Sequence, residues 1–187
     1  RLANPTVDCF EKKIAALEGG VAAVATSSGQ NANTLAIMNI ARTGDHIVAI
    51  SSLYGGTVSL FSNTLKKMGV EFTFVLPDAP LEELEAAIRP NTKAIFAEVL
   101  ANPALIVLDH RHGLPLIVDN TFPTPFLCRP FDYGADIVTH STTKYIDGHA
   151  TSVGGIIVEK GGFDWGNGKF PEFVNPDASY HGLVYTK

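Results

Sequence analysis

Seven short apolar runs, at 21–25, 46–50, 70–75, 94–99, 116–119, 137–140 and 153–158, set the limits on how this chain can fold. Each has the length of a strand rather than of a helix, and turn-forming residues bound most of them. Helical patterns lie between several of them, notably at 31–40, 56–68 and 81–88. Ahead of the first run, Asn4-Pro5-Thr6 predicts a capped helix with an apolar stripe of Val7, Phe10, Ile14 and Leu17, stopped by Gly19-Gly20. Strands alternating with helices imply right-handed βαβ units. The expected fold is therefore α/β: a three-layer αβα sandwich around a mostly parallel seven-stranded sheet.

The chain's 187 residues suffice for one well-filled domain, and the apolar fraction of 45% suits a packed core. A net charge of −5 without a basic cluster gives no support to a nucleic-acid or membrane-surface role. No apolar run approaches the roughly 20 residues of a spanning helix. Cys9 and Cys128 lack metal-type spacing and read as free thiols of a reducing, cytoplasmic compartment. The six histidines are scattered, with no metal-ligand spacing, so no metal is assigned. The chain opens on Arg1 rather than Met, and both ends read as cut.

One stretch is too short for its task. Between Glu98 and Leu116 the chain must leave one buried strand and enter another, and parallel neighbours need a crossover of about a dozen residues, usually helical. Residues 104–113 hold no amphipathic helix of useful length. The expectation is that residues are missing between Asp109 and His110.

Chemistry gathers where the strands end. The run at 116–119 closes on Asp119, and the run at 137–140 leads into Ser141-Thr142-Thr143-Lys144. Ligands of open α/β sheets sit at that carboxyl edge. A lysine there can form an imine with a carbonyl, while neighbouring hydroxyls hold a phosphate. Pyridoxal phosphate (PLP) carries both groups on one ring. The plain alternative for Lys144 is a surface lysine opening a loop; a poorly solvated crevice would instead favour its neutral amine. Asp119 is either a helix cap or a carboxylate that keeps a pyridine nitrogen protonated, and Pro123 and Pro125 weaken the first reading. Thr121 could touch the ring or the same carboxylate. Ser28, Gly29 and Gln30 form a small-residue turn at a helix N-terminus, which presents backbone N–H groups to an anion. Ser141 and Thr143 would add hydroxyl donors. Tyr54 is either a packed aromatic or a ring stacked on the cofactor whose phenol moves protons.

Five segments occur in order: Arg1-Leu2-Ala3-Asn4-Pro5-Thr6, Ser27-Ser28-Gly29-Gln30, Tyr54-Gly55-Gly56-Thr57, Asp119-Asn120-Thr121-Phe122 and Ser141-Thr142-Thr143-Lys144-Tyr145. Together they resemble the Cys/Met-metabolism family of PLP enzymes, fold type I, across nearly the whole chain. The resemblance implies an aspartate aminotransferase-like large domain, residues 1–187, lacking its N-terminal arm and its C-terminal small domain. It implies Lys144 as the Schiff-base lysine, Asp119 as the partner of the pyridine nitrogen and Tyr54 as the stacking tyrosine. Gly29, Gln30, Ser141 and Thr143 match phosphate-binding positions. Gln30 stands where many relatives have Met, and a backbone contact should make that change matter little. Arg1 matches an arginine that reaches the neighbouring subunit's cofactor, so a homo-oligomer is implied, a tetramer built as a dimer of dimers. Glu98 and Asn102 match an element near the cofactor, with Asn102 reaching the ring hydroxyl or the substrate carboxylate.

Within that family the polar and aromatic stretch at 162–171, with Tyr180-His181-Gly182-Leu183, looks like the sulfhydrylase branch. That branch converts O-acetyl-L-homoserine and sulfide to L-homocysteine and acetate, a γ-replacement. Related outcomes are cystathionine γ-synthase and methionine γ-lyase chemistry, and a non-catalytic α/β binding domain is the alternative from another class. Against that last reading, there is no G-x-x-x-x-G-K motif and no helix-opening G-x-G-x-x-G.

Overall fold

The computed structural model describes residues 4–99 and 112–186. Arg1, Asn102 and the expected break between Asp109 and His110 lie outside these described residues. Helix α1 (Pro5–Glu18) starts where Asn4 Oδ1 accepts from Thr6 N–H at 2.9 Å and Val7 N–H at 3.3 Å. Proline at the first helical position has no N–H to leave unpaired. The helix ends at Gly19, whose φ of 82° favours a residue without a Cβ.

The strands are β1 (Ala22–Thr26), β2 (His46–Ile50), β3 (Glu71–Val75), β4 (Thr92–Glu98), β5 (Leu116–Asp119), β6 (Ile137–Ser141) and β7 (Gly155–Glu159). They form one seven-stranded sheet in the order β1-β7-β6-β5-β4-β2-β3. The pairs β2–β3, β2–β4, β4–β5 and β5–β6 are parallel, and β7 is antiparallel to both β1 and β6. Among the described strands only β7 is reversed, so the mostly parallel sheet expected from the alternation is present. The C-terminal ends of the other strands share one edge.

Pleat alternation sends successive side chains to opposite faces and so builds two cores. On one face Val48, Ile50, Leu116, Val118, Val138 and Val158 pack with Ile14 and Ala15 of α1 and with Leu84 of α4 (Leu81–Ala87). On the other, Ile47, Ala49, Phe96, Ile117 and Ile137 meet Ala36, Ile37 and Ile40 of α2 (Gly29–Ile40), together with Phe61 and Leu65.

The helix faces differ from the apolar count. Val7 and Leu17 of α1, and Leu35 and Met38 of α2, are exposed. Ala32, Asn33 and Ala36 are buried instead, because small side chains let α2 lie close on the sheet. The helix expected at 56–68 is divided: α3 (Gly55–Ser59) opens into a π-helical turn, Leu60–Leu65. Thr57, Phe61 and Leu65 are all buried at a spacing of four, which the wider i→i+5 winding keeps in line better than a 3.6-residue turn.

Between β5 and β6 stands the short α5 (Thr124–Leu127), and α6 (Pro171–Val174) follows β7. The stretch at 162–171 forms an aromatic cluster of Phe163, Trp165 and Phe170, with Phe173 of α6 beside it. Trp165 Nε1 donates to Glu159 Oε1 at 3.2 Å, and Lys93 Nζ donates to Lys169 O while lying over the Phe170 ring. Lys93 stands near the start of β4 and Glu159 at the end of the reversed β7. The cluster thus closes the amino edge of the sheet, opposite the edge where Asp119 and Ser141 end their strands.

Candidate active site

The carboxyl edge gathers β1 leading to Ser28, β2 leading to Tyr54, β4 ending at Glu98, β5 at Asp119 and β6 at Ser141. Parallel direction places them there, with no side-chain pairing required.

Asp119 is buried, and three donors hold its carboxylate. Thr121 N–H and Oγ1–H give Oδ1 bonds of 3.1 and 2.5 Å, and Asn33 Nδ2 donates to Oδ2 at 3.1 Å. Asn33 is itself fixed by Thr139, whose Oγ1–H donates to Asn33 Oδ1 at 2.6 Å. Asp119 caps no helix, and its donors orient both oxygens. Sequence patterning passed over Asn33, because a buried polar residue within an apolar helical stripe looks like a gap.

The turn from β1 to α2 makes the anion cradle. Ser28 Oγ accepts from Asn31 N–H at 3.1 Å as the N-cap. That leaves the N–H groups of Gly29 and Gln30, which no intrahelical carbonyl can reach. A Cβ on Gly29 would lie 2.5 Å from Ser141 Cβ, so the helix start packs directly on the β6 turn and sets those N–H groups beside Ser141. The Ser141 backbone N–H donates to Thr121 Oγ1 at 2.8 Å.

Two expected donors behave differently. The Thr143 hydroxyl accepts from Gly154 N–H at 3.1 Å and lies 3.2 Å from Gly154 O, so donating to an anion requires it to release that carbonyl. The Gln30 side chain, expected to matter little, donates through Nε2 to Thr57 Oγ1 at 3.1 Å and ties α2 to the turn bearing Tyr54.

Tyr54 is 59% exposed among the described residues, so it is not part of their core. Its backbone N–H donates to Glu98 Oε2 at 2.7 Å. A Cβ on Gly56 would lie 2.5 Å from Tyr54 Cε1, so the ring rests against bare backbone. Glu98 pairs in register with Asp119 on the adjacent strand. Burial, and secondarily the Asp119 charge, push its carboxyl above the ordinary range, against the pull of the Tyr54 N–H.

Lys144 follows β6 and is exposed; its amine makes no hydrogen bond or ion pair among the described residues. The poorly solvated surroundings expected for it are not supplied by those residues. Taken together, unpaired backbone donors packed on Ser141, an oriented carboxylate and an uncommitted amine on one edge fit a phosphorylated aldehyde that carries a basic ring nitrogen. Such an arrangement can hold an anion, keep a ring nitrogen protonated and present an amine nucleophile.

The profile of the family described as Cys/Met metabolism PLP-dependent enzyme matches residues 1–180. An O-acetyl-L-homoserine sulfhydrylase of Leptospira meyeri is 52% identical, the match covering 99% of this chain and 43% of that protein. One from Corynebacterium glutamicum is 51% identical over 99% of this chain and 45% of its own length. The homocysteine/cysteine synthase of Saccharomyces cerevisiae is 48% identical over 100% and 44%. A Campylobacter jejuni crystal structure assigned as an O-acetylhomoserine (thiol)-lyase, with a pyridoxyl-lysine monophosphate, superposes with a TM-score of 0.92 at 38% identity. That superposition covers 100% of this chain and 48% of the other. The chain spans less than half the length of these relatives.

Proposed function

The chain belongs to the Cys/Met metabolism family of PLP-dependent enzymes, and from that premise we propose that it forms the cofactor-binding large domain of an O-acetylhomoserine sulfhydrylase. The observation that carries the catalytic reading is that one sheet edge brings together the Asp119 carboxylate, the Gly29 and Gln30 N–H groups and the turn bearing Lys144. Relatives named as sulfhydrylases at about half identity support the choice of substrate.

When bound, PLP supplies an electron sink for negative charge developing at the substrate's α-carbon. Ser28, Gly29, Gln30 and Ser141 would hold its phosphate, with Thr143 joining once released from Gly154. Asp119 would keep the ring nitrogen protonated, since an opposite charge favours the cationic form. Thr121 and Asn33 restrict that carboxylate to one orientation. Lys144 would bind the aldehyde carbon covalently, and Tyr54 would lie against the ring. Lys144 Nζ or Tyr54 Oη would be the base that takes the substrate's α-proton. Net, the γ C–O bond of O-acetylhomoserine breaks, acetate leaves with the electron pair, and the sulfur of hydrosulfide forms the new γ C–S bond.

We place Arg1 at the neighbouring subunit's cofactor and Asn102 at the ring hydroxyl or the substrate carboxylate, within a tetramer in the cytoplasm. No helix of the described residues is long and apolar enough to cross a membrane. We also propose the break between Asp109 and His110, on the short span left for a crossover between Glu98 and Leu116.

The test is product analysis by mass spectrometry with the intact protein, PLP and O-acetylhomoserine, giving sulfide in one reaction and cysteine in the other. Homocysteine forming much faster than cystathionine is expected. Faster cystathionine, or an oxoacid released without thiol, would assign the chain to another branch. No turnover and no bound chromophore would leave only the binding-domain reading.

A further inference from the structure

Glu18, the last residue of α1, is completely buried, as are Asn120 and His140. His140 Nε2 lies 2.6 Å from Glu18 Oε1, and Asn120 Nδ2 donates to the same oxygen at 3.0 Å while also donating to Cys128 O at 2.8 Å. Glu18 Oε2, Asn120 Oδ1 and His140 Nδ1 find no partner among the described residues. A buried polar cluster satisfied this incompletely is weak evidence of stability; its geometry, one Glu18 oxygen held between two side chains, joins α1 to the ends of β5 and β6.

What it fixes follows from the pleat. Along β5 and β6, Asp119, Thr139 and Ser141 face α2, and the intervening Asn120 and His140 face α1. Asn33 of α2 therefore bridges Asp119 and Thr139 on one face, and Glu18 of α1 bridges Asn120 and His140 on the other. Each residue gripped by Glu18 is flanked by site residues: Asp119 and Thr121 around Asn120, Thr139 and Ser141 around His140. The end of α1 is seated firmly, because a Cβ on the nearby Gly20 would lie 2.6 Å from both Glu159 O and Val158 Cγ1.

We infer that Glu18 is a positioning residue for the cofactor site: through Asn120 and His140 it fixes the spacing between the Asp119 carboxylate and the Ser141 phosphate donors from the face that the cofactor does not touch. This rests on the PLP reading above. The acceptor oxygen is what matters, so Glu18→Gln retains the function and Glu18→Leu, apolar and of similar size, loses it.

The experiment measures three quantities in the intact protein: melting temperature without cofactor, PLP affinity by absorbance titration, and the visible spectrum of the bound form. Leu84→Ala, in the α4 core away from the site, serves as the stability control. Glu18→Leu is expected to weaken PLP binding about tenfold or more and to shift the visible band. Glu18→Gln should stay within about threefold of wild type. Leu84→Ala should lower the melting temperature with affinity and spectrum unchanged. Should Glu18→Leu not fold, Asn120→Ala removes one of the two bonds and is expected to weaken binding about threefold or more. Wild-type affinity and spectrum in the folded variant, or equal perturbation by Leu84→Ala, would overturn the inference. A wild-type protein that takes up no PLP would overturn the reading beneath it.

Discussion

Ser141 and Asp119 are joined through one hydroxyl. Thr121 Oγ1 accepts from Ser141 N–H at 2.8 Å and donates to Asp119 Oδ1 at 2.5 Å. The residue assigned to the phosphate and the residue assigned to the ring nitrogen are thereby held in one buried relay, short enough for each bond to polarise the next.

Thr121→Val keeps the shape and removes the relay. Ser141 N–H loses its acceptor and Asp119 Oδ1 loses one of two donors, a loss of about 1–3 kcal/mol for buried partners left unpaired. The cofactor-free protein should melt several degrees lower, and PLP affinity should fall about tenfold. Thr121→Ser should restore both. A valine variant with wild-type melting and titration curves would remove the relay from the account.

Much of this site was legible because parallel strands deliver their last residues to a common edge, so finding Asp119 and Ser141 at the ends of apolar runs was enough to bring them together. The Glu18 and Asn33 clamps were not legible. Periodicity counts apolar positions, and a buried Glu, Asn or His at such a position reads as an interruption. The same blindness placed Val7 and Leu17 in the apolar stripe of α1, where both are exposed, and close packing of α2 on the sheet buries the small Ala32 and Ala36. The stretch at 162–171 was informative for a reason the sequence does not reveal: it plugs the amino edge with aromatic rings packed edge to face and does not line the site.

Lys144 carries the covalent role in the proposal. Borohydride treatment of the PLP-loaded protein, followed by digestion and mass spectrometry, should place a pyridoxyl group on Lys144 and on no other lysine. Lys144→Ala should lose turnover by several orders of magnitude yet still bind PLP through the Gly29, Gln30 and Ser141 donors, with altered absorbance. Modification at a different lysine would move the catalytic assignment away from the β6 turn.

Glu98 makes stability depend on pH in a direction that can be worked out. Burial, first, and the Asp119 charge raise its folded pKa above that of the unfolded chain. Between those two values the folded state therefore binds more protons, and stability falls as pH rises. The contribution is complete below the ordinary glutamate pKa and is lost as pH rises through the raised folded one. Glu98→Gln keeps an acceptor for Tyr54 N–H but carries no charge. Its melting temperature relative to wild type should increase across that window and level off above it. A difference that does not change with pH would show that the Glu98 proton is not taken up on folding.

His46 should give the opposite slope, from the other edge of the sheet. Fully buried at the start of β2, it lies 2.8 Å from Thr92 Oγ1 through Nδ1 and 2.9 Å from Thr73 Oγ1 through Nε2. Two hydroxyls satisfy a neutral ring in either tautomer. Burial, and secondarily the Arg89 charge, lower its pKa against the smaller pull of Glu71. The unfolded chain then binds a proton that the folded one refuses, so stability is complete above the ordinary histidine value, about 6.5, and is lost as pH falls from there to the depressed folded value. His46→Gln keeps polar contacts without a titratable group. Melting curves of wild type and variant should therefore converge as pH falls through that window, with PLP affinity unchanged because His46 lies far from the carboxyl edge. A melting difference that widens on acidification would mean that the folded protein accepts the His46 proton, contradicting a ring held neutral between two threonines.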